Sequence, residues 1–231
     1  SSRHLARILR VTPSSEIRLR FRGNQMESSD KSSVAVLGRD DVAEVVVVLS
    51  ESFFDYPVTR FILGNDPDYP DRLERLVGFF VMARVLREEV LLGVRDPQGL
   101  KAAALVSYPG QRSSPPQLEA LREETWAQLG PEARSRYESY GAAADQFTID
   151  QGHIHLNMIG VRRSAQGQGL GRVVMEAVHE LSASEESSAG VTLNTELESN
   201  IRLYEHFGYE VLGSAEVESA FTTWAMFRPD H

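Results

Sequence analysis

A chain of 231 residues with 33 acidic and 24 basic side chains carries a formal net charge of -9. That balance argues against a general nucleic-acid binder, because affinity for a phosphate backbone needs a basic face. Cysteine is absent, which excludes disulfides, thiolate nucleophiles and zinc–thiolate centres and makes a reducing compartment, by default the cytoplasm, the expectation. The densest apolar run, 45–49, falls far short of the roughly 20 residues a membrane-spanning helix needs, so no membrane partner is expected.

Residues 1–25 carry Arg3, Arg7, Arg10, Arg18, Arg20 and Arg22 against a single acid, Glu16, and the first methionine is Met26. This reads as an extension ahead of one domain over 26–231. Such a leader can be a transit peptide, a basic arm, sequence foreign to the natural protein or an ordinary N-terminal strand. From Ser33 the hydrophobic pattern settles into a strand over 34–37. Arg39-Asp40-Asp41 then opens a helix that runs to about residue 54, with acids in its first turn. Pro57 interrupts it, a short helical piece follows over 59–63, and 64–67 is a turn. A longer helix is expected over 70–86, with Leu73, Leu76, Val77, Phe80 and Val81 on one face.

Strands over 89–94 and 100–108 are joined by Arg95-Asp96-Pro97-Gln98-Gly99, turn formers at hairpin spacing. Pro109-Gly110 and Pro115-Pro116 break the sheet pattern. Residues 117–144, rich in Glu, Ala, Leu and Arg, read as two helices divided at Gly130-Pro131. This insertion is longer than an ordinary connection, and such insertions often shape a pocket. A strand over 153–161 leads into a glycine-rich turn and a helix over 170–182. A strand over 191–194, a helix over 200–207 ended by Gly208, and a closing hairpin with strands over 209–212 and 220–227 complete the chain.

Chemistry concentrates at Gln166-Gly167-Gln168-Gly169-Leu170-Gly171-Arg172, where an apolar strand feeds a helix start. The three glycines leave no Cβ between the backbone and an approaching group, so N–H groups can converge on an anion at the positive end of the helix. A P-loop would need Gly-Lys-Ser/Thr, and Arg172-Val173 follows Gly171 instead. A dinucleotide fold would place the turn early, with an acid about 20 residues on; here the turn is late, and Glu185 and Glu186 sit in a Ser-rich loop. A second landmark follows: Leu193-Asn194-Thr195, then Asn200, Tyr204 and Phe207-Gly208-Tyr209. Asn200 and Tyr204 share one helix face. On the strand before the turn, His153, His155 and Asn157 alternate with Ile154, Leu156 and Met158 and share one face. Two histidines at that spacing can hold a metal, but no third ligand is evident, and none is expected.

A strand, a Gln-x-x-Gly-x-Gly turn, a helix, a strand and then Asn-x-x-x-Tyr-x-x-x-Gly-Tyr resembles the GCN5-related N-acetyltransferase (GNAT) superfamily. The resemblance covers about 33–228 in element order and 153–212 in detail. Ser52-Phe53-Phe54-Asp55-Tyr56-Pro57, with His153-Ile154-His155-Leu156 ahead of Gly160-Val161, is similar to the puromycin N-acetyltransferase branch. Arg163 departs from the pattern at a position that is commonly proline, which leaves the strand exit less constrained.

The resemblance implies a mixed α/β (α+β) fold: a central, mostly antiparallel sheet of about seven strands flanked by helices, with a helical insertion before the central strand. It implies acetyl-CoA as acetyl donor to a primary amine, small-molecule or peptide, in a monomer or homodimer. Backbone groups of Ile159, Gly160 and Val161 would pair with the pantetheine arm. Amides of Gln166, Gly167, Gln168, Gly169, Leu170, Gly171 and Arg172 would take the pyrophosphate, and Asn200 would hold the arm unless it is only a helix cap. Tyr204 would protonate the departing thiolate; its alternative is an aromatic packed beneath the sheet. His155 falls where relatives often carry a Glu or His that deprotonates the amine, and its alternative is a hydrogen-bonded core histidine. Phe53, Phe54, Asp55 and Tyr108, with His153 and Asn157, are candidates for the acceptor pocket. Asp55 could anchor a cationic amine or cap the segment after Pro57. Two other readings stay open: an acyl-CoA-binding regulatory module without catalysis, and an acyltransferase with a longer acyl donor or a non-amine acceptor.

Overall fold

The computed structural model describes residues 33–110 and 114–230, so the extension expected over 1–25 lies outside the described residues. Within them the strands are β1 (Val34–Leu37), β2 (Leu91–Asp96), β3 (Gly99–Ser107), β4 (Ile154–Val161), β5 (Gly190–Thr195), β6 (Glu210–Val217) and β7 (Phe221–Pro229). They form one seven-stranded sheet in the order β1-β2-β3-β4-β5-β7-β6. Every neighbouring pair is antiparallel except β4 with β5. This is the mixed, mostly antiparallel sheet that the element order implied.

The helices are α1 (Val42–Ser52), α2 (Pro57–Leu63), α3 (Tyr69–Leu86), α4 (Pro116–Leu129), α5 (Pro131–Ala144), α6 (Leu170–Ser184) and α7 (Glu198–His206). Proline lies in the first turn of α2, α3, α4 and α5. Its fixed φ suits that position, and the N–H it lacks has no intrahelical partner there. Most ends fall within about two residues of those read from the sequence, the usual scatter at element ends. β6 is the exception and runs on to Val217. It is an edge strand, mostly exposed and held by its ladder to β7, so it has little of the apolar alternation from which a strand is read.

The core joins α1 and α3 to the sheet. Val45, Val48 and Leu49 from α1 meet Leu73, Leu76 and Val77 from α3 above Ala103, Leu105 and Met158. On α6 the buried Leu170, Val174, Met175, Val178 and Leu181 form one stripe, the spacing of an amphipathic helix laid on a sheet.

Two irregularities in β4 shape the centre of the sheet. Leu105 pairs with Met158 while the adjacent Val106 pairs with Leu156, so Asn157 is an extra residue, a β-bulge. In consequence both Asn157, which bonds Arg84 of α3, and Met158, in the α1/α3 core, turn toward the same helices. The second irregularity is the β5 ladder, which covers only Ile154↔Val191, His155↔Thr192 and Leu156↔Leu193. Past Leu156 the two parallel strands separate.

Gly160 lets α1 sit directly on the separated part of β4. A Cβ there would lie 2.5 Å from Ser52 Oγ and 3.1 Å from Leu49 Cδ2. The Ser52 hydroxyl, 2.9 Å from Val48 O in its own helix, is also 3.2 Å from the carbonyl of Val161. Gly160→Ala should therefore overpack the α1–β4 contact and cost about 1–3 kcal/mol, lowering the thermal midpoint by several degrees in scanning calorimetry. An unchanged midpoint would mean that α1 is not seated against β4.

Candidate active site

Where β4 and β5 part, a cavity of about 1280 Å³ opens through the centre of the molecule. Its walls come from the C-terminal end of α1, the end of α3, the insertion helix α5, the separated strands and α7. On the β4 side it is lined by His153, His155, Asn157, Ile159, Gly160 and Val161. The turn and α6 contribute Gln166, Gly171 and Arg172; α7 contributes Asn200 and Tyr204; Phe53 follows α1. The other sequence candidates, Phe54, Asp55, Tyr108, Gly167, Gln168, Gly169 and Leu170, do not line it.

One end of the cavity is made of backbone. Since the β5 ladder stops at Leu156, the edge of β4 from Asn157 to Val161 that faces β5 has no strand beside it. At the strand exit the chain makes a 3-10 turn, Arg163–Ala165, before Gln166. Gly167 and Gly169 both have φ +78, the left-handed conformation that a Cβ disfavours, and nothing crowds the position a Cβ would take at either. α6 begins with no side-chain cap and no acid in its first turn, and its leading amides, as at any helix start, have no intrahelical partner. Leu170 turns its side chain into the core at 7% exposure, leaving only its amide to the turn. Arg172 is exposed, with its guanidinium 5.5 Å from the Phe207 ring centre.

The strand exit is tighter than the missing proline at 163 suggests. The amide of Arg163, a group proline lacks, donates to Glu51 Oε1 at 2.6 Å, and Arg162 Nε donates to Glu51 Oε2 at 3.0 Å. One carboxylate of α1 thus holds both residues.

Side chains form the other end. His155 is half-buried, with Nδ1 2.9 Å from Thr192 Oγ1. Loss of hydration, followed by the positive charge of Arg84 and by His153, pushes its pKa down to about 4, so the imidazole is neutral near pH 7. Asn157 Oδ1 accepts from Arg84 Nε at 3.1 Å and from Ser107 Oγ at 2.9 Å, which fixes it in place. Arg84 is itself paired with Glu89 at 3.2 Å. His153 Nδ1 is 2.8 Å from Gln151 O. Asp55 is exposed and faces Arg60 at 2.7 Å and Arg163 at 3.5 Å. Phe54 packs edge-on to Tyr69 at 5.3 Å, whose hydroxyl donates to the Phe54 carbonyl at 2.7 Å. Tyr108 is half-buried just past β3.

Tyr204 is 9% exposed and stands edge-to-face with Tyr209, ring centres 5.8 Å apart. Burial, and then the nearby charge of Glu196, pushes its pKa up to about 12, so the phenol keeps its proton. Asn200 lies in the first turn of α7, past the N-cap residue Leu197, and its Nδ2 donates to Thr195 Oγ1 at 3.3 Å. It is therefore not the cap.

Among the residues of the cavity wall that are not site candidates from sequence are Glu196, Asn194, Tyr56 and Tyr140. Glu196, at the junction of β5 and α7, is 7% exposed. Its Oε1 accepts from Thr223 at 2.7 Å and from Tyr140 at 3.1 Å, and its amide donates to the Tyr56 hydroxyl at 3.2 Å. Burial raises the carboxyl pKa against hydrogen bonds from Thr223, Tyr56 and Tyr140. Asn194 Nδ2 is buried without a hydrogen-bond partner among the described residues. An acid between a strand and a helix is ordinarily solvated, and the partners of Glu196 come from distant parts of the chain, so no local pattern marks it. Among the described residues no group of three or more His, Cys, Asp or Glu could hold a metal ion, and no helix is long and apolar enough to cross a membrane.

Residues 127–211 match the family model for an acetyltransferase (GNAT) domain. That span holds β4, the turn, α6, β5 and α7. The fold is similar to that of the protein titled histone acetyltransferase HPA2 and related acetyltransferase from Corynebacterium glutamicum, at 21% identity and a TM-score of 0.61 over 86% of this chain and 96% of that one. It is also similar to arylalkylamine N-acetyltransferase 2 from Aedes aegypti, at 14% identity and 0.55 over 86% and 98%. A third similar structure, PH1933 from Pyrococcus horikoshii, gives 10% and 0.53 over 86% and 99%. At such identities these structures speak for the fold, which is the GNAT fold. The resemblance to the GNAT superfamily therefore stands, and the domain match supports acetyl transfer as the general chemistry. The puromycin branch rests on its sequence motifs alone.

His179, whose Nε2 is 3.0 Å from the Tyr209 hydroxyl, is also pushed down to about 4, chiefly by burial. For both histidines the folded state disfavours the charged form. As pH falls from about 6.5 toward 4 the unfolded chain takes up these protons first, and stability is lost across that window. Thermal midpoints should be flat near pH 7 to 8 and fall between 6.5 and 4.5, with a shallower fall in His179→Gln. An equal slope in the variant would show that His179 is not held neutral.

Proposed function

We propose that this protein is an acetyl-CoA-dependent N-acetyltransferase that acetylates a primary amine by direct attack. The observation that carries the reading is a single cavity joining an unpartnered edge of β4 and an open helix start to a buried phenol, Tyr204. The coenzyme fits these residues. An extended arm can add to the free edge of β4 as a strand adds to a sheet, through Ile159, Gly160 and Val161. Amides from Gln166 to Arg172, at the start of α6, would take the pyrophosphate. The orphaned Asn194 Nδ2 supplies a buried donor in the same cavity, and Asn200 faces it from α7.

Acetyl-CoA supplies an activated acyl group as a thioester. The chain's own work is to align an amine with that acyl carbon, exclude water and supply a proton. Proximity of this kind accounts for much of the rate in two-substrate transfer. Tyr204, protonated throughout the neutral range, donates to the leaving sulfur. His155 and Asn157 face the path of the amine from β4, with Phe53 and His153 nearby on the wall. At a pKa of about 4, His155 is a weak proton acceptor, better suited to ordering a water or the amine than to ionising it.

Titration calorimetry with acetyl-CoA should give saturable one-to-one binding, and a folded protein that gives no heat would overturn the reading. Tyr204→Phe should lower turnover about 100-fold or more while the acetyl-CoA Kd stays within about twofold, because the proton is needed only after attack. Full turnover in that variant would remove Tyr204 from the acid role.

A further inference from the structure

We propose that Glu196 receives the ammonium group of the acyl acceptor and removes its proton, and that this acceptor is a primary amine on an apolar, aromatic-bearing body held beneath α5. The inference rests on the acetyl-transfer reading above and names the substrate class of that same site.

Glu196 lines the cavity yet is only 7% exposed, and both donors to its Oε1, Thr223 and Tyr140, are neutral hydroxyls. Among the described residues no Arg or Lys pairs with it. The other deep carboxylate near the site, Glu89, is paired with Arg84 at 3.2 Å. A carboxylate withdrawn from water without a counter-charge is costly, and a cation delivered by a ligand relieves that cost. Glu138 and Asp145 also line the cavity and add negative potential that favours a cation's entry.

The position is right for chemistry as well. Glu196 and Tyr204 line the same cavity, so a proton acceptor and a proton donor share one space. His155 is less suited to an ammonium ion, since Arg84 places a positive charge beside it. The body of the acceptor meets aromatic rings: Tyr137 and Tyr140 of α5, Phe80 of α3, and Phe147 after α5 all line the cavity. This wall is braced. Phe147 lies over Gly213 of β6, where a Cβ would be 2.3 Å from the ring, and Tyr140 stacks near Phe221 of β7 at 6.3 Å. Fixed rings around one buried charge suit an aryl-alkyl amine.

In the reaction the ammonium proton passes to Glu196. The freed nitrogen lone pair forms the N–C bond as the thioester C–S bond breaks, and that electron pair leaves on sulfur, which takes the proton of Tyr204. The acylated nitrogen returns a proton to the phenolate, and Glu196 releases its own to solvent, so one proton is liberated per amide formed.

The test uses the full chain, saturating acetyl-CoA and thiol release with phenethylamine, 1,4-diaminobutane and an alanine-initiated peptide. Phenethylamine should exceed the other two by about tenfold in kcat/KM. Glu196→Gln should lower its kcat/KM by about 100-fold with the acetyl-CoA Kd unchanged. For wild type loaded with coenzyme A, phenethylamine should bind at least about tenfold more tightly than 2-phenylethanol, which lacks the charge; this arm stands even if the variant does not fold. The inference is overturned if Glu196→Gln keeps its activity, if the alcohol binds as well as the amine, if the diamine or peptide is preferred, or if acetyl-CoA binds and none of the three amines is acetylated. Failure to bind acetyl-CoA at all would instead strike the acetyltransferase reading.

Discussion

The parting of β4 from β5 is the constraint on which the site depends. Two parallel strands that paired along their full length would satisfy each other's backbone groups and close the centre of the sheet. Here three residue pairs hold them and then they diverge, so a row of main-chain groups is left at the middle of a structure that otherwise pairs its strands. The divergence is stabilised from both sides. α1 packs onto Gly160 and ties Val161 and the Arg162–Arg163 exit through Ser52 and Glu51, while β5 is held by its long ladder to β7. Neither strand can drift back toward the other without breaking these contacts.

The two ends of the resulting cavity use different materials. The end proposed for the coenzyme is built from main chain, glycine and a bare helix start, and it asks for a ligand rich in acceptors and phosphate. The opposite end is built from side chains of α3, α5, β5, α7 and β7, each positioned by its own element. The bulge at Asn157 links the two, because it turns two successive residues of β4 toward α3: Met158 into the core and Asn157 onto Arg84.

This division explains what could be read from the amino-acid order. The turn from Gln166 to Arg172 and the pair Asn200 and Tyr204 are local spacings, and a short segment is enough to recognise them. Helices that start on Pro57, Pro116 and Pro131, and an amphipathic α6, carry their signals in a few residues. Phe54 and Asp55 belong to a motif that is equally local, yet Phe54 packs onto Tyr69 and Asp55 onto Arg60, away from the cavity; the residue of that segment that reaches Glu196 is Tyr56. Glu196 gains its character from Thr223, Tyr140 and Tyr56, brought together from the closing hairpin, the insertion and the segment between α1 and α2. The sequence signal of β6 is short for a related reason, since an edge strand stabilised by its ladder needs no alternation to persist.

Edge strands are ordinarily the permissive part of a sheet, where a changed side chain simply extends into water. Gly213 is an exception created by Phe147. A substituent there would push against a ring that braces the segment after α5, and its effect would be felt across the cavity rather than at the rim. The outermost strand thus contains a position with the intolerance of an interior one, and the shape of the cavity is set in part by an atom that is missing from the far edge of the protein.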